Sequence, residues 1–152
     1  MERKIEAHLA SLAKFMEEGI PFNRHLGMRV DLLEQGRCVL RIPWNDYLIG
    51  DPSRPAVHGG VLSTLADTAG GTACFTLLTT SQDRVSTVDL RIDYLRPGPS
   101  EDLLCEAHTV RMGNKVAVAR MHIYSGTLPE PGEADRALAT GTGVYNVVRR
   151  GE

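Results

Sequence analysis

Apolar residues at Ile5, Leu9, Leu12 and Met16 recur every three to four positions, and Gly19 followed by Pro21 stops the repeat, so residues 4 to 18 are predicted as one amphipathic helix. Two strand-like runs follow, Met28 to Leu33 and Arg37 to Ile42, with Gln35-Gly36 as the tight turn between them. Residues 43 to 57 hold three prolines, Gly50 and Asp51-Pro52, and read as a loop. The pattern then changes. From His58 to about Thr80 the chain reads HGGVLSTLADTAGGTACFTLLTT, apolar nearly all round a helix, and such a helix is predicted to be buried. Beyond it Thr87 to Tyr94 alternates cleanly and ends near Pro97-Gly98. Leu103 to Met112 follows, then a turn at Gly113-Asn114, Lys115 to Ser125, a polar loop from Gly126 to Asp135, and a last strand from Ala137 to Val148. Four successive strands with no helix between them predict an antiparallel sheet, and one buried helix against it makes an α+β fold.

Composition narrows the possibilities. A chain of 152 residues, 42% hydrophobic and 24% charged, fits a short N-terminal helix (residues 1–20) followed by one globular domain (residues 21–150). Its net charge of −2 leaves no electrostatic footprint for nucleic acid. No apolar run is long enough to span a membrane, and the mixed charges of the first residues do not make a signal peptide. Cys38, Cys74 and Cys105 are odd in number and contain no CxxC pair, which predicts a reduced, cytoplasmic setting; no His/Cys/Asp/Glu cluster has metal-site spacing.

Asp67 is the only ionisable carboxylate within the buried helix. A carboxylate there is costly unless it is paired, hydrated or put to use. Gly60, Ser63, Thr64, Gly70, Gly71 and Cys74 share its face at helical spacing, and all are small. Such a stripe admits a ligand or another backbone, or simply packs a helix on a sheet. His58-Gly59-Gly60 opens the same helix, where free N–H groups and the helix dipole favour negative charge, a recipe for an oxyanion hole. His58 is a candidate general acid, with structural hydrogen bonding at the helix start the preferred role; Cys74 has no histidine partner that would make it a nucleophile. Gly59 and Asp67 lie eight residues apart, about 12 Å along one helix, too far for a single carbonyl to touch both. A site using both groups would take one of them from a second, two-fold-related copy of the chain.

The stretch HGGVLSTLADTAGG, with nine residues from His58 to Asp67, resembles the signature of hotdog-fold thioesterases of the phenylacetate-degradation type, within the 4-hydroxybenzoyl-CoA thioesterase superfamily. The strand Ser86 to Pro97, Leu26-Gly27-Met28 and Arg111-Met112-Gly113-Asn114-Lys115 extend the likeness over roughly residues 22 to 148. The resemblance implies an antiparallel sheet wrapped around the buried helix, a homodimer or dimer of dimers, and an acyl-CoA substrate with no metal or organic cofactor. It implies that the Gly59 N–H (or that of Gly60) polarises the thioester carbonyl while Asp67 of the other subunit attacks it or activates water. It places Thr87 where some relatives carry a hydroxyl that helps position that water. Arg111 and Lys115 flank a hairpin turn and are candidates to bind CoA phosphates, with a solvated charged turn as the alternative. Relatives also carry an Asn or Gln shortly before the HGG; here that position is Pro52, and Asn45 is the nearest candidate. Two other functions stay in view: an acyl-CoA-binding module without turnover, and a hotdog hydratase or dehydratase, for which no matching Asp/His or His/Glu pair is found.

Overall fold

The computed structural model describes every residue except Thr79, Gly151 and Glu152. Helix α1 (Glu2–Lys14) runs into a π-turn (Phe15–Gly19), and a short helix α2 (Pro21–His25) follows. The predicted helix 4–18 is therefore α1 plus most of the π-turn. Pro21 does more than stop it: as the first residue of α2, its fixed φ starts a new turn that the periodicity did not suggest. Strands β1 (Arg29–Glu34) and β2 (Arg37–Ile42) form the expected hairpin, with Gly36 at φ 76°, a left-handed position that favours glycine. The segment expected to be a plain loop holds a 3₁₀ turn (Asp46–Leu48) and a small hairpin, β3 (Ile49–Asp51) with β4 (Ala56–Val57).

The central helix α3 spans Gly59–Phe75 and stops short of the predicted Thr80. The Thr76 hydroxyl donates to Ala73 O and accepts the Gly36 N–H at 2.7 Å, while the N–H groups of Leu77 and Leu78 turn back to Cys74 O and Phe75 O. A contact 40 residues away in sequence thus ends the helix. Strands β5 (Arg84–Tyr94), β6 (Leu103–Met112), β7 (Val116–Ser125) and β8 (Ala139–Val148) complete a six-stranded sheet in the order β1-β2-β6-β7-β8-β5, antiparallel throughout. β5 begins three residues earlier than predicted, and β8 two residues later.

Leu62, Leu65, Ala66, Ala69 and Ala73 of α3 are buried against Leu103, Cys105, Ala107, Ala117, Ala119, Met121 and Ile123 of the sheet. The run of alanines on both surfaces lets the helix lie close. A six-stranded antiparallel sheet packed on one long helix is the hotdog architecture that the sequence resemblance implied. α3 is not covered all round, however: Ser63, Thr64, Asp67, Thr68 and Gly71 form a half-exposed stripe beside β5.

β5 also departs from the predicted alternation. Its register with β8 shifts between Thr87 and Asp89, so Val88 is an extra residue in a bulge and is 66% exposed. Clean alternation would have turned Val88 inward with Leu90 and Ile92, and Thr87 outward. The bulge reverses this and sets Val85 and Thr87 on the same side as Leu90. β5 is an edge strand and carries one whole flank of the sheet.

Candidate active site

Asp67 sits midway along α3, its side chain facing a cavity of about 460 Å³. The Thr87 hydroxyl, turned inward by the β5 bulge, donates a 2.8 Å hydrogen bond to Asp67 Oδ1. A second support comes from the sheet. The buried Tyr145 hydroxyl donates to the Asp67 carbonyl oxygen at 3.1 Å. Burial, and then the Asp67 charge, push the Tyr145 phenol well above its ordinary pKa, so it stays a proton donor. Tyr145 reaches this place through glycines. A Cβ on Gly70 would collide with its hydroxyl, and one on Gly143 would stand within 2.5–2.7 Å of its ring and oxygen. The close approach tolerated at Gly70 is thus a tyrosine from β8, and helix-on-sheet packing accounts for that part of the small-residue stripe. Gly71 differs: it borders the cavity, and a Cβ there would find only ordinary contact with Tyr145, at 3.5 Å.

At the start of α3, His58 Nδ1 accepts the Gly60 N–H at 2.8 Å and caps the helix. Acceptance at Nδ1 puts the proton of the neutral imidazole on Nε2. The Gly60 N–H is thereby occupied, whereas the Gly59 N–H meets no acceptor among the described residues. Tyr94 OH donates to Gly59 O at 3.2 Å, and its ring stands 3.3 Å from where a Gly59 Cβ would be. Gly59 and Asp67 occupy one continuous helix, so the separation of about 12 Å deduced from their spacing holds within the chain.

The other sequence candidates are not gathered at Asp67. Asn45 caps the 3₁₀ turn, its Oδ1 accepting the Tyr47 N–H at 3.2 Å, and it does not line the Asp67 cavity. Lys115 borders a separate hollow with Asn114, Asn146 and Arg149, and Arg111 lines neither. No histidine lines the Asp67 cavity among the described residues. The thiols are buried: desolvation pushes Cys38 up to about 12 and raises Cys74 and Cys105, so none offers a thiolate at neutral pH.

Sequence reasoning missed Tyr145, Tyr94 and the cavity wall supplied by Met16, Ile20, Phe22 and Asn23. One signal for Tyr145 was legible: Gly141 and Gly143 inside a strand mark a close approach. Nothing in the amphipathic pattern of residues 4 to 18 indicated that the N-terminal segment flanks a site.

The sequence model of the thioesterase superfamily matches residues 55–131, which contain the HGG, Asp67, Thr87, Arg111 and Lys115. The chain is also 35% identical to the medium/long-chain acyl-CoA thioesterase YigI of Escherichia coli K12, over 84% of this chain and 86% of that protein. The chain belongs to the thioesterase superfamily. Among solved structures, a Shewanella oneidensis protein related to the thioesterase superfamily superposes with a TM-score of 0.80 at 28% identity, covering 95% of this chain and 97% of that one. A thioesterase family protein from Silicibacter pomeroyi does so with a TM-score of 0.74 at 28% identity, covering 97% of each.

Proposed function

We propose that this chain hydrolyses acyl-CoA thioesters to a free carboxylic acid and CoA, with Asp67 as the reacting carboxylate. The observation that carries the reading is the hydrogen bond from Thr87 to Asp67 Oδ1 on the wall of a cavity. It ties down one oxygen and leaves the other to take a proton from water, or to attack the thioester carbon itself. In the first route the water oxygen forms the new C–O bond as the C–S bond breaks, and the proton held by Asp67 passes to the departing thiolate; in the second, Asp67 forms an acyl anhydride as the C–S bond breaks, and a water then cleaves that anhydride, releasing the acid, restoring the carboxylate and supplying the proton that the thiolate takes. The charge that develops on the carbonyl oxygen needs a donor already in place, and the unengaged Gly59 N–H at the positive end of α3 suits that role. The His58 cap favours Gly59 over Gly60.

The spacing along α3 favours assembly of the site from two subunits. Thr87 lies beside Asp67 and Tyr94 beside Gly59, so β5 and α3 run antiparallel here. β5 is an exposed edge of eleven residues, the kind of edge that another strand covers. Pairing β5 with its own copy about a two-fold axis midway between Thr87 and Tyr94 would bring Asp67 opposite Gly59 of the partner subunit. The β6–β7 turn, with Lys115 and Arg111, is the candidate contact for the CoA phosphates. The named activity of the Escherichia coli relative supports the substrate class, and three free cysteines fit a cytoplasmic setting.

The test is thiol release from a panel of acyl-CoA esters by the wild type and by Asp67→Asn. The amide keeps the size and removes the charge. The variant should retain a tenth or less of wild-type kcat/KM, a loss of at least about 1.4 kcal/mol. Near-normal turnover would remove Asp67 from the reaction.

A further inference from the structure

A second hollow, of about 410 Å³, lies beyond the Asp67 cavity under the N-terminal helix. Leu12 and Phe15 line it from the N-terminal segment and Arg84 from the start of β5. Phe75 lines both cavities. On each of three elements the lining passes from the first cavity to the second over a short step: Met16 to Phe15, Thr72 to Phe75, and Val85 to Arg84. Phe75 is the residue that both linings share, and the two hollows meet at its ring. The N-terminal helix is held over this junction by hydrogen bonds. His8 Nε2 donates to Phe75 O at 3.1 Å, and the Thr72 hydroxyl lies 3.2 Å from Met16 Sδ.

We propose that Phe75 is the chain-length gate of the enzyme, and that the cavity beneath α1 is the closed continuation of the acyl channel. The inference rests on the thioesterase reading above. An acyl chain with its carbonyl at Asp67 would run along the half-exposed Thr68 and Gly71, and Phe75 stands eight residues beyond Asp67 on α3, about 12 Å away. An extended chain advances about 1.2 Å per bond, by analogy with a backbone that covers about 3.6 Å in three bonds, so about ten carbons fit before the ring. Chains of that length are accepted whole. Longer ones meet the ring, although a cavity of nearly equal volume lies behind it, with Leu12 and Phe15 as its apolar wall and Ser11, Ser81, Asp83 and Arg84 among its polar lining. Phe75 is a specificity-determining residue and takes no part in bond making.

The experiment measures kcat/KM over saturated acyl-CoA esters of increasing length for the wild type, Phe75→Ala, Phe75→Leu and the double variant Phe75→Ala/Ser11→Trp. Ser11 lines only the far cavity and is exposed, so a tryptophan there fills that cavity without touching the first. Phe75→Ala should move the optimum to chains longer by about four carbons, roughly 5 Å, and raise kcat/KM for them by about tenfold or more, with roughly two hundredfold as the ceiling if all four methylenes are fully buried. Phe75→Leu, the smaller perturbation of the fold, should move it in the same direction. Adding Ser11→Trp should cancel the gain, while Ser11→Trp alone leaves the wild-type profile unchanged. Profiles of unaltered shape in both Phe75 variants would overturn the gate, as would long-chain gain that survives Ser11→Trp. Failure of the wild type on every ester would overturn the thioesterase reading and the gate with it, whereas wild-type turnover with an unshifted profile overturns the gate alone.

Discussion

Thr87→Val isolates the hydrogen bond on which the site reading depends. Valine has nearly the shape of threonine and suits a strand, and Thr87 is on an exposed edge, so stability should change by no more than about 0.5 kcal/mol. What disappears is the 2.8 Å bond from the hydroxyl to Asp67 Oδ1. Hydrogen bonds to charged groups are worth about 1.5–3 kcal/mol, and a half-exposed carboxylate belongs at the lower end. About 1.5 kcal/mol lost in the transition state is roughly a tenfold fall in kcat. KM should move little, because Thr87 orients Asp67 and does not anchor the nucleotide. Steady-state thiol release with an ester of preferred length gives both constants, and thermal unfolding checks the fold. Thr87→Ser keeps the donor and should restore most of kcat. If Thr87→Val stays within about twofold of wild type, or Thr87→Ser is as impaired as Thr87→Val, the hydroxyl does not position Asp67 and the argument is wrong.

Adjacent glycines on α3 should respond in opposite ways. Gly70→Ala drives a methyl into Tyr145 and to 2.9 Å from Met121 Sδ, costing about 1–3 kcal/mol, whereas Gly71→Ala makes only ordinary contacts and should be neutral or stabilising in the same melts. Asp102 accepts the Trp44 N–H at 2.8 Å and Arg41 Nη1 at 3.0 Å, in that order of effect, and both hold its carboxyl below the usual range. A depressed folded pKa stabilises above about pH 4 and is lost as the pH falls through the folded value. With 39% of the side chain exposed, Asp102→Asn should therefore cost only about 0.5–1 kcal/mol at pH 7, shrinking below about pH 4, as read by urea unfolding at both pH values. Mixed oligomers of Gly59→Pro and Asp67→Asn chains, each inactive alone, should regain activity, since one site in each mixed dimer inherits neither lesion; no recovery in well-folded mixtures would place both groups in one chain.

The sequence alone determined the order of the N-terminal helix, the six sheet strands and the one long apolar helix, the antiparallel sheet, and the isolation of Asp67 within that helix. These are local properties: periodicity reports which face of a segment is apolar, and a lone carboxylate stands out against it. The spacing from Gly59 to Asp67 also needed no coordinates, because the helical rise is fixed. Pairing between distant segments decided the rest. Thr87 points inward only because Val88 bulges against β8, a choice of register invisible in a run that alternates well either way. α3 ends at Phe75 because Thr76 receives a hydrogen bond from Gly36, on the first hairpin. Tyr145 reaches the Asp67 carbonyl because Gly70 and Gly143, on different elements, leave the same space empty. The N-terminal segment, whose pattern promised only an apolar face, walls two cavities: α1 and Phe15 line the far one, with His8 on Phe75, and the π-turn and α2 line the Asp67 cavity, with Met16 beside Thr72. An apolar face must be covered by something, but its sequence does not say by what; only the packed chain supplies the partner.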